Sequence, residues 1–284
     1  MAKHARPRSP RPVDPRQTGC RPVRVITPRS GSCPQRPQVP TMLGVVTNRS
    51  DFERLRRDGA TSYAAYGDYL TDVETLLAGL GRDGVEVHGR AFSPEDFEEF
   101  CEREGLAPED ADSHLAYTAD PAAEEDWVRW DGEPVPEFLL RVERAHERGR
   151  VRRQLDRMLA ETAEAALTGA FPEPLLSVAY AKGAEALRDF LLTAEEGAFT
   201  AVCGLFAPEE PVTAWADLRL EAGGVLRIEE EDLDLLCEVL CVGHALNLPG
   251  VVTFSGVCER RGELGWEWAF DGENYQHVGR PAAQ

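Results

Sequence analysis

The order in which residue patterns change along the chain constrains its fold more than any single motif does. Residues 137–194 carry apolar side chains at helical intervals, and most of the chain beyond residue 199 alternates in short, turn-bounded stretches. Helices gathered ahead of strands, rather than interleaved with them, predict an α+β architecture instead of a doubly wound sheet. The middle section predicts helices at about 137–148, 150–168 and 174–194. The last third opens with a strand, "FTAVCGLF" (199–206), and continues as a hairpin around Gly223-Gly224. A helix over 231–246 interrupts, and "VVTFSGVC", "ELGWEWAF" and "ENYQHV" then form a three-strand meander whose second turn is Asp271-Gly272. The expected body is therefore a helical middle section packed on a mainly antiparallel sheet.

Ahead of it lies a small α/β-like part. "LGVVTN" (43–48) and "VEVHGRAF" (85–92) read as strands. Between them, Ser50 with Glu53 has the spacing of a capping box, and Tyr66, Leu70, Val73, Leu77 and Leu80 line one face of a helix. Ser93, Pro94 and Gly105 bracket a further helix as cap, first residue and stop. Residues 106–136 are acidic and poorly periodic, and predict a long connection with one short helix. The boundary between the subdomains is expected at 130/131, giving 42–130 and 131–284, packed as one body.

Residues 1–41 differ from the rest. They hold nine prolines and nine Lys/Arg against the single acid Asp14. Such a segment buries too little apolar surface to offset its ordering entropy, so it reads as a disordered basic tail, or as an extension upstream of a natural start at Met42. Removing it leaves 22 basic and 49 acidic groups, a net charge of −27. An acidic body repels nucleic acid over most of its surface, which argues against a nucleic-acid partner and leaves basic protein partners open; a protein partner of unspecified identity is expected. Two lysines against 29 arginines point to the codons of a high-GC bacterial genome rather than to phosphate recognition. No apolar run reaches the roughly 18 residues of a membrane span. Seven widely spaced cysteines, an odd number without a secretory signal, fit a reducing cytoplasm.

Four groups of residues could carry chemistry or binding. Glu86, His88 and Arg90 share one side of the strand 85–92 and could serve acid–base work on an anionic substrate. Cys237, Cys241 and His244 lie on one face of the helix 231–246, with Cys258 as a fourth ligand for zinc; packing as small core residues is the expected alternative. Arginine is concentrated over 141–157; pairing with the protein's own acids is the expected outcome, with Arg148, Arg152 and Arg153 as candidates for an interface with an acidic partner as the alternative. Trp127 and Trp130, in the acidic connection, would be interface anchors if exposed. The string Gly79-Leu-Gly81-Arg-Asp-Gly84 matches a dinucleotide fingerprint by letter, but it ends a helix and precedes a strand, so it reads as a turn. No complete catalytic or cofactor signature is present. The sequence thus predicts a cytoplasmic binding, interaction or regulatory protein, with an enzyme or a zinc protein as alternatives.

Overall fold

The computed structural model describes residues 40–222, 224–258 and 260–279, all within one compact unit, Val39–Gln284. The expected tail lies outside the described residues except for Pro40 and Thr41, and Thr41 already opens the first strand. Strand β1 (Thr41–Val45) runs parallel to β2 (Val87–Ala91), and the crossover passes through α1 (Arg49–Arg57) and α2 (Tyr66–Arg82). The cap of α1 is Asn48 rather than Ser50. Its Oδ1 accepts from the Asp51 amide at 2.9 Å while its Nδ2 donates to the Asp51 carboxylate at 2.9 Å, a side-chain pair in place of the capping box expected at Ser50 and Glu53. Helix α2 passes through Gly79 and Gly81, and Gly84, at φ 68°, turns the chain toward β2, as the order of elements required. Helix α3 (Pro94–Glu104) keeps its predicted cap at Ser93 and stop at Gly105.

The stretch expected to be a long connection is ordered. It holds α4 (Ala111–Thr118), a 3₁₀ turn over Pro121–Asp126, and β3 (Val128–Arg129), which pairs antiparallel with β2 to complete a sheet of order β1-β2-β3. These elements are too short to show a period, so composition alone hid them.

Two predicted helices are one. Helix α5 spans Val135–Ala165 without a break at Gly149. A β-carbon on Gly149 would sit 1.7 Å from Asp126 Oδ1, so the glycine makes room for a buried carboxylate and does not stop the helix. The first half of α5 closes the three-stranded sheet: Val135, Phe138, Leu139, Val142 and Ala145 are buried with Val45, Val87 and Ala91. Phe138 is fully buried and lies so near Gly89 that any side chain there would collide with its ring. The second half, through Val151 and Leu155, belongs to a different core.

That second core lies beneath a six-stranded antiparallel sheet of order β6-β5-β4-β7-β8-β9. Its strands are β4 (Gly197–Leu205), β5 (Val212–Glu221), β6 (Val225–Arg227), β7 (Gly250–Cys258), β8 (Gly262–Phe270) and β9 (Tyr275–Gly279). Along β5 burial alternates strictly, with Val212, Ala214, Ala216, Leu218 and Leu220 inward, which fixes register because a one-residue slip would expose them all. Helices α6 (Glu173–Thr193) and α7 (Glu230–Leu246) pack on the inner face. Strand β6 pairs only with Arg219–Glu221, and α5 runs beside the remainder of β5, where Arg144 reaches Asp217 at 2.7 Å and lies over the Trp215 ring. One edge of the sheet is thereby covered. The arrangement is of the α+β class. Among the described residues no helix is long and apolar enough to cross a membrane.

Candidate functional site

The strand face proposed from sequence is divided by the fold. His88 Nε2 lies 3.2 Å from Glu86 Oε1, and Arg129 of β3 approaches the same carboxylate at 3.7 Å. Arg90 turns away beneath α4, where its Nη1 donates to the Tyr117 carbonyl and its guanidinium lies 4.1 Å from the Tyr117 ring centre. Only 4% of Arg90 is exposed, so it secures α4 to β2 and is not placed to meet a substrate beside His88.

The arginines of α5 are not a free basic patch either. Arg148 pairs with Asp232 at 2.9 Å, Arg152 with Glu238 at 2.9 Å, and Arg153 with Asp126 at 2.9 Å and Asp96 at 3.5 Å. Every one of these acids is distant in sequence, which is why the local excess of arginine does not name its partners. Trp127 and Trp130, anchor candidates only if exposed, are half-buried. Trp130 Nε1 donates to the Glu133 carbonyl at 3.0 Å, and its ring lies on Gly81. Trp127 Nε1 is buried without a hydrogen-bond partner among the described residues.

The candidate zinc ligands are separated. Cys241 Sγ donates to the Leu176 carbonyl at 3.6 Å, near the start of α6, and Cys258 Sγ lies 3.5 Å from Glu195 Oε2, beyond its other end. At about 1.5 Å rise per residue those two places are roughly 28 Å apart, against a zinc–sulfur bond of about 2.3 Å. No group of three or more His, Cys, Asp or Glu residues is placed to hold a metal among the described residues. Burial, then the acids Asp234 and Glu238, pushes the Cys237 thiol up to about 11, so it stays protonated and packs as an apolar group.

His244 leads to a different site. It lies near the end of α7, its ring 4.7 Å from Phe270 and 5.6 Å from Tyr275. With Tyr275 it lines a groove of about 530 Å³ between α6 and the β8–β9 turn, floored by Phe190 and Trp268 and bordered by Lys182, Glu185, Asp189 and Glu273. Phe190 meets Trp268 at 4.5 Å and Tyr275 at 5.0 Å. Both ring nitrogens of His244 and the Tyr275 hydroxyl are buried with no hydrogen-bond partner among the described residues. Such atoms are costly unless something else satisfies them.

The charge state of these groups is set by their surroundings. Desolvation, then the nearby Lys182 ammonium, holds the His244 imidazole below its ordinary value, so the ring is neutral at pH 7. Burial pushes the Tyr275 phenol well up, so it keeps its proton. Both groups are thus uncharged, and the exposed charged groups of the groove they border are Lys182, Glu185, Asp189 and Glu273. Two other large cavities exist, one of about 620 Å³ beside Cys258 and one of about 480 Å³ between α5 and the loops near residues 208 and 247. Neither is lined by a buried polar atom lacking a partner. The sequence marked His244 as a candidate zinc ligand; nothing marked Tyr275 or the polar residues of α6, because polar residues beside apolar ones are what any surface helix shows.

Residues 30–133 match a family described as "Domain of unknown function (DUF8829)". No curated protein and no solved structure matches the chain. The matched segment stops two residues before α5, and the groove lies wholly outside it, on α6, α7, β8 and β9.

Proposed function

We propose that the chain is a binding protein without catalytic activity, and that the groove between α6 and the β8–β9 turn is its recognition site. One observation carries this reading: His244 and Tyr275, whose buried polar atoms have no hydrogen-bond partner among the described residues, border an aromatic-floored groove of about 530 Å³. Apolar walls with a few placed polar groups are the usual composition of a binding site. The ionic groups elsewhere that were candidates for chemistry are engaged within the fold, as Arg90 and Arg153 are.

The test is retention of material from the host on the immobilised chain. Ala186 lines the groove, and Ala186→Arg would fill it. Ser255→Arg, at an exposed position on the opposite sheet face, serves as the control. A bound species lost with Ala186→Arg and kept with Ser255→Arg is the expected result, with circular dichroism confirming that both variants fold. Equal retention by all three proteins would remove the groove as the site.

A further inference from the structure

We infer that the occupant of this groove is an extended, basic segment of a partner protein, added beside β9 as a further strand. The inference rests on the groove being the recognition site.

Strand β9 is the open edge of the six-stranded sheet. Among the described residues it pairs only with β8, whereas the opposite side is covered by α5 and ends in the three-residue β6. Edge strands are normally blunted by lysine, proline or a covering element, because their unpaired amides and carbonyls invite another strand. The β9 sequence, Tyr-Gln-His-Val-Gly, contains no charge and no proline. Gln276, His277 and Val278 are all exposed.

The geometry suits strand addition. The groove meets the sheet at Asn274 and Tyr275, where β9 begins, so an extended peptide entering there could take backbone hydrogen bonds from the β9 edge for affinity and place alternate side chains against α6 for specificity. The α6 wall runs from Lys182 to Thr193, about 16 Å of helix, and the five residues of β9 span about the same length. Long basic side chains fit the lining. Their stems can lie on the exposed His277 ring, 5.8 Å from Trp268 of the groove floor, while their heads reach the carboxylates at the rim. Glu185, Asp189 and Glu273 oppose a single cation, Lys182, within the groove. Arg188 approaches Glu185 at 3.5 Å and Asp189 at 3.2 Å without lining it, and the chain as a whole carries a net charge of −19.

A display library of random twelve-residue peptides, panned on the full chain and counter-selected on Ala186→Arg, tests this. Selected peptides would be synthesised with free amides and with alternate amides N-methylated, and titrated by fluorescence anisotropy against wild type and Glu273→Lys. Glu273 is exposed, so its reversal leaves the core intact. Lysine or arginine at alternate positions is expected, with about tenfold weaker binding after methylation and on Glu273→Lys, and slowed amide exchange over 275–279. Acidic winners, or winners that bind equally well when methylated, would overturn the inference. So would the absence of groove-dependent winners; if Ala186→Arg nevertheless abolished retention of a host species, the groove would stand as a site for something other than a strand.

Discussion

Replacing Arg148 by methionine should expose how much the acid–arginine pairs of α5 contribute to folding. Arg148 Nη1 lies 2.9 Å from Asp232 Oδ1, with 18% of the arginine side chain and 6% of the aspartate side chain exposed. Methionine keeps most of the aliphatic packing, so the variant chiefly leaves a desolvated carboxylate without its cation. Breaking a buried pair from one side costs about 3–5 kcal/mol. Two features bring the expectation to the lower end. Asp232 lies in the first turn of α7, where the helix dipole favours an anion by about 0.3–1 kcal/mol, and the arginine is not fully dehydrated. The alternative partner Glu229, at 3.5 Å, is 56% exposed and contributes little. Urea unfolding should therefore show a loss of about 2–3 kcal/mol, or roughly 4–12 °C in Tm for a body of this size. Asp232→Leu added to Arg148→Met should recover most of that loss, since the second change removes the orphaned charge. A single variant within about 0.5 kcal/mol of wild type, or a double variant that merely adds the two losses, would refute the claim that the pair is internal and coupled.

Three other outcomes are expected from the packing. Gly149→Ala should destabilise by about 1–3 kcal/mol in thermal unfolding although alanine is the better helix former, because the new methyl group meets Asp126 Oδ1; a stabilised variant would contradict that contact. His244 is held below its ordinary value of 6.5, so its contribution to stability is complete above that pH and is lost as pH falls through the lowered folded value. The urea midpoint of wild type should thus drop more steeply on acidification below pH 6.5 than that of His244→Phe, and identical slopes would remove the assignment. A chain ending at residue 133 lacks Phe138 and Val142, which pack on Gly89, and should unfold without cooperativity, while one ending near residue 150 should regain a sigmoidal melt.

The larger elements were legible because their signals are local. Period-2 burial along β5, the Ser93–Pro94 start and Gly105 stop of α3, and the Gly79–Gly84 turn can each be read from neighbouring residues. The Asp271 turn was also local, although Asp271 Oδ1 closes it by accepting from the amides of both Glu273 and Asn274, over more than the two residues expected. The features that stayed hidden depend on partners far along the chain. The break expected between helices 137–148 and 150–168 is absent, because Gly149 makes room for Asp126 inside one continuous helix. Pairing of the arginines at 148, 152 and 153 with the protein's own acids is the expected reading of that cluster, but local sequence cannot name the acids, because Asp232, Glu238 and Asp126 are remote in sequence. Of the groove, His244 alone was singled out, since its other walls come from α6 and from the β8–β9 turn, and a cavity has no periodicity to read.

Helix α5 places two cores on one rod, and this sets a schedule for the newly made chain. Its first half can settle on β1, β2 and β3 once residues near 145 have emerged, because everything it touches there precedes it. Its second half can anchor Arg153 on Asp126 and Asp96, but its apolar stripe has no core to enter until β5 and α7 are complete at Leu246. At about 5–20 residues per second, Val151 and Leu155 stay exposed for roughly 5–20 s. For that interval the chain is a folded head carrying a helix with a bare apolar stripe, a form that chaperones of nascent polypeptides would meet before any binding partner could.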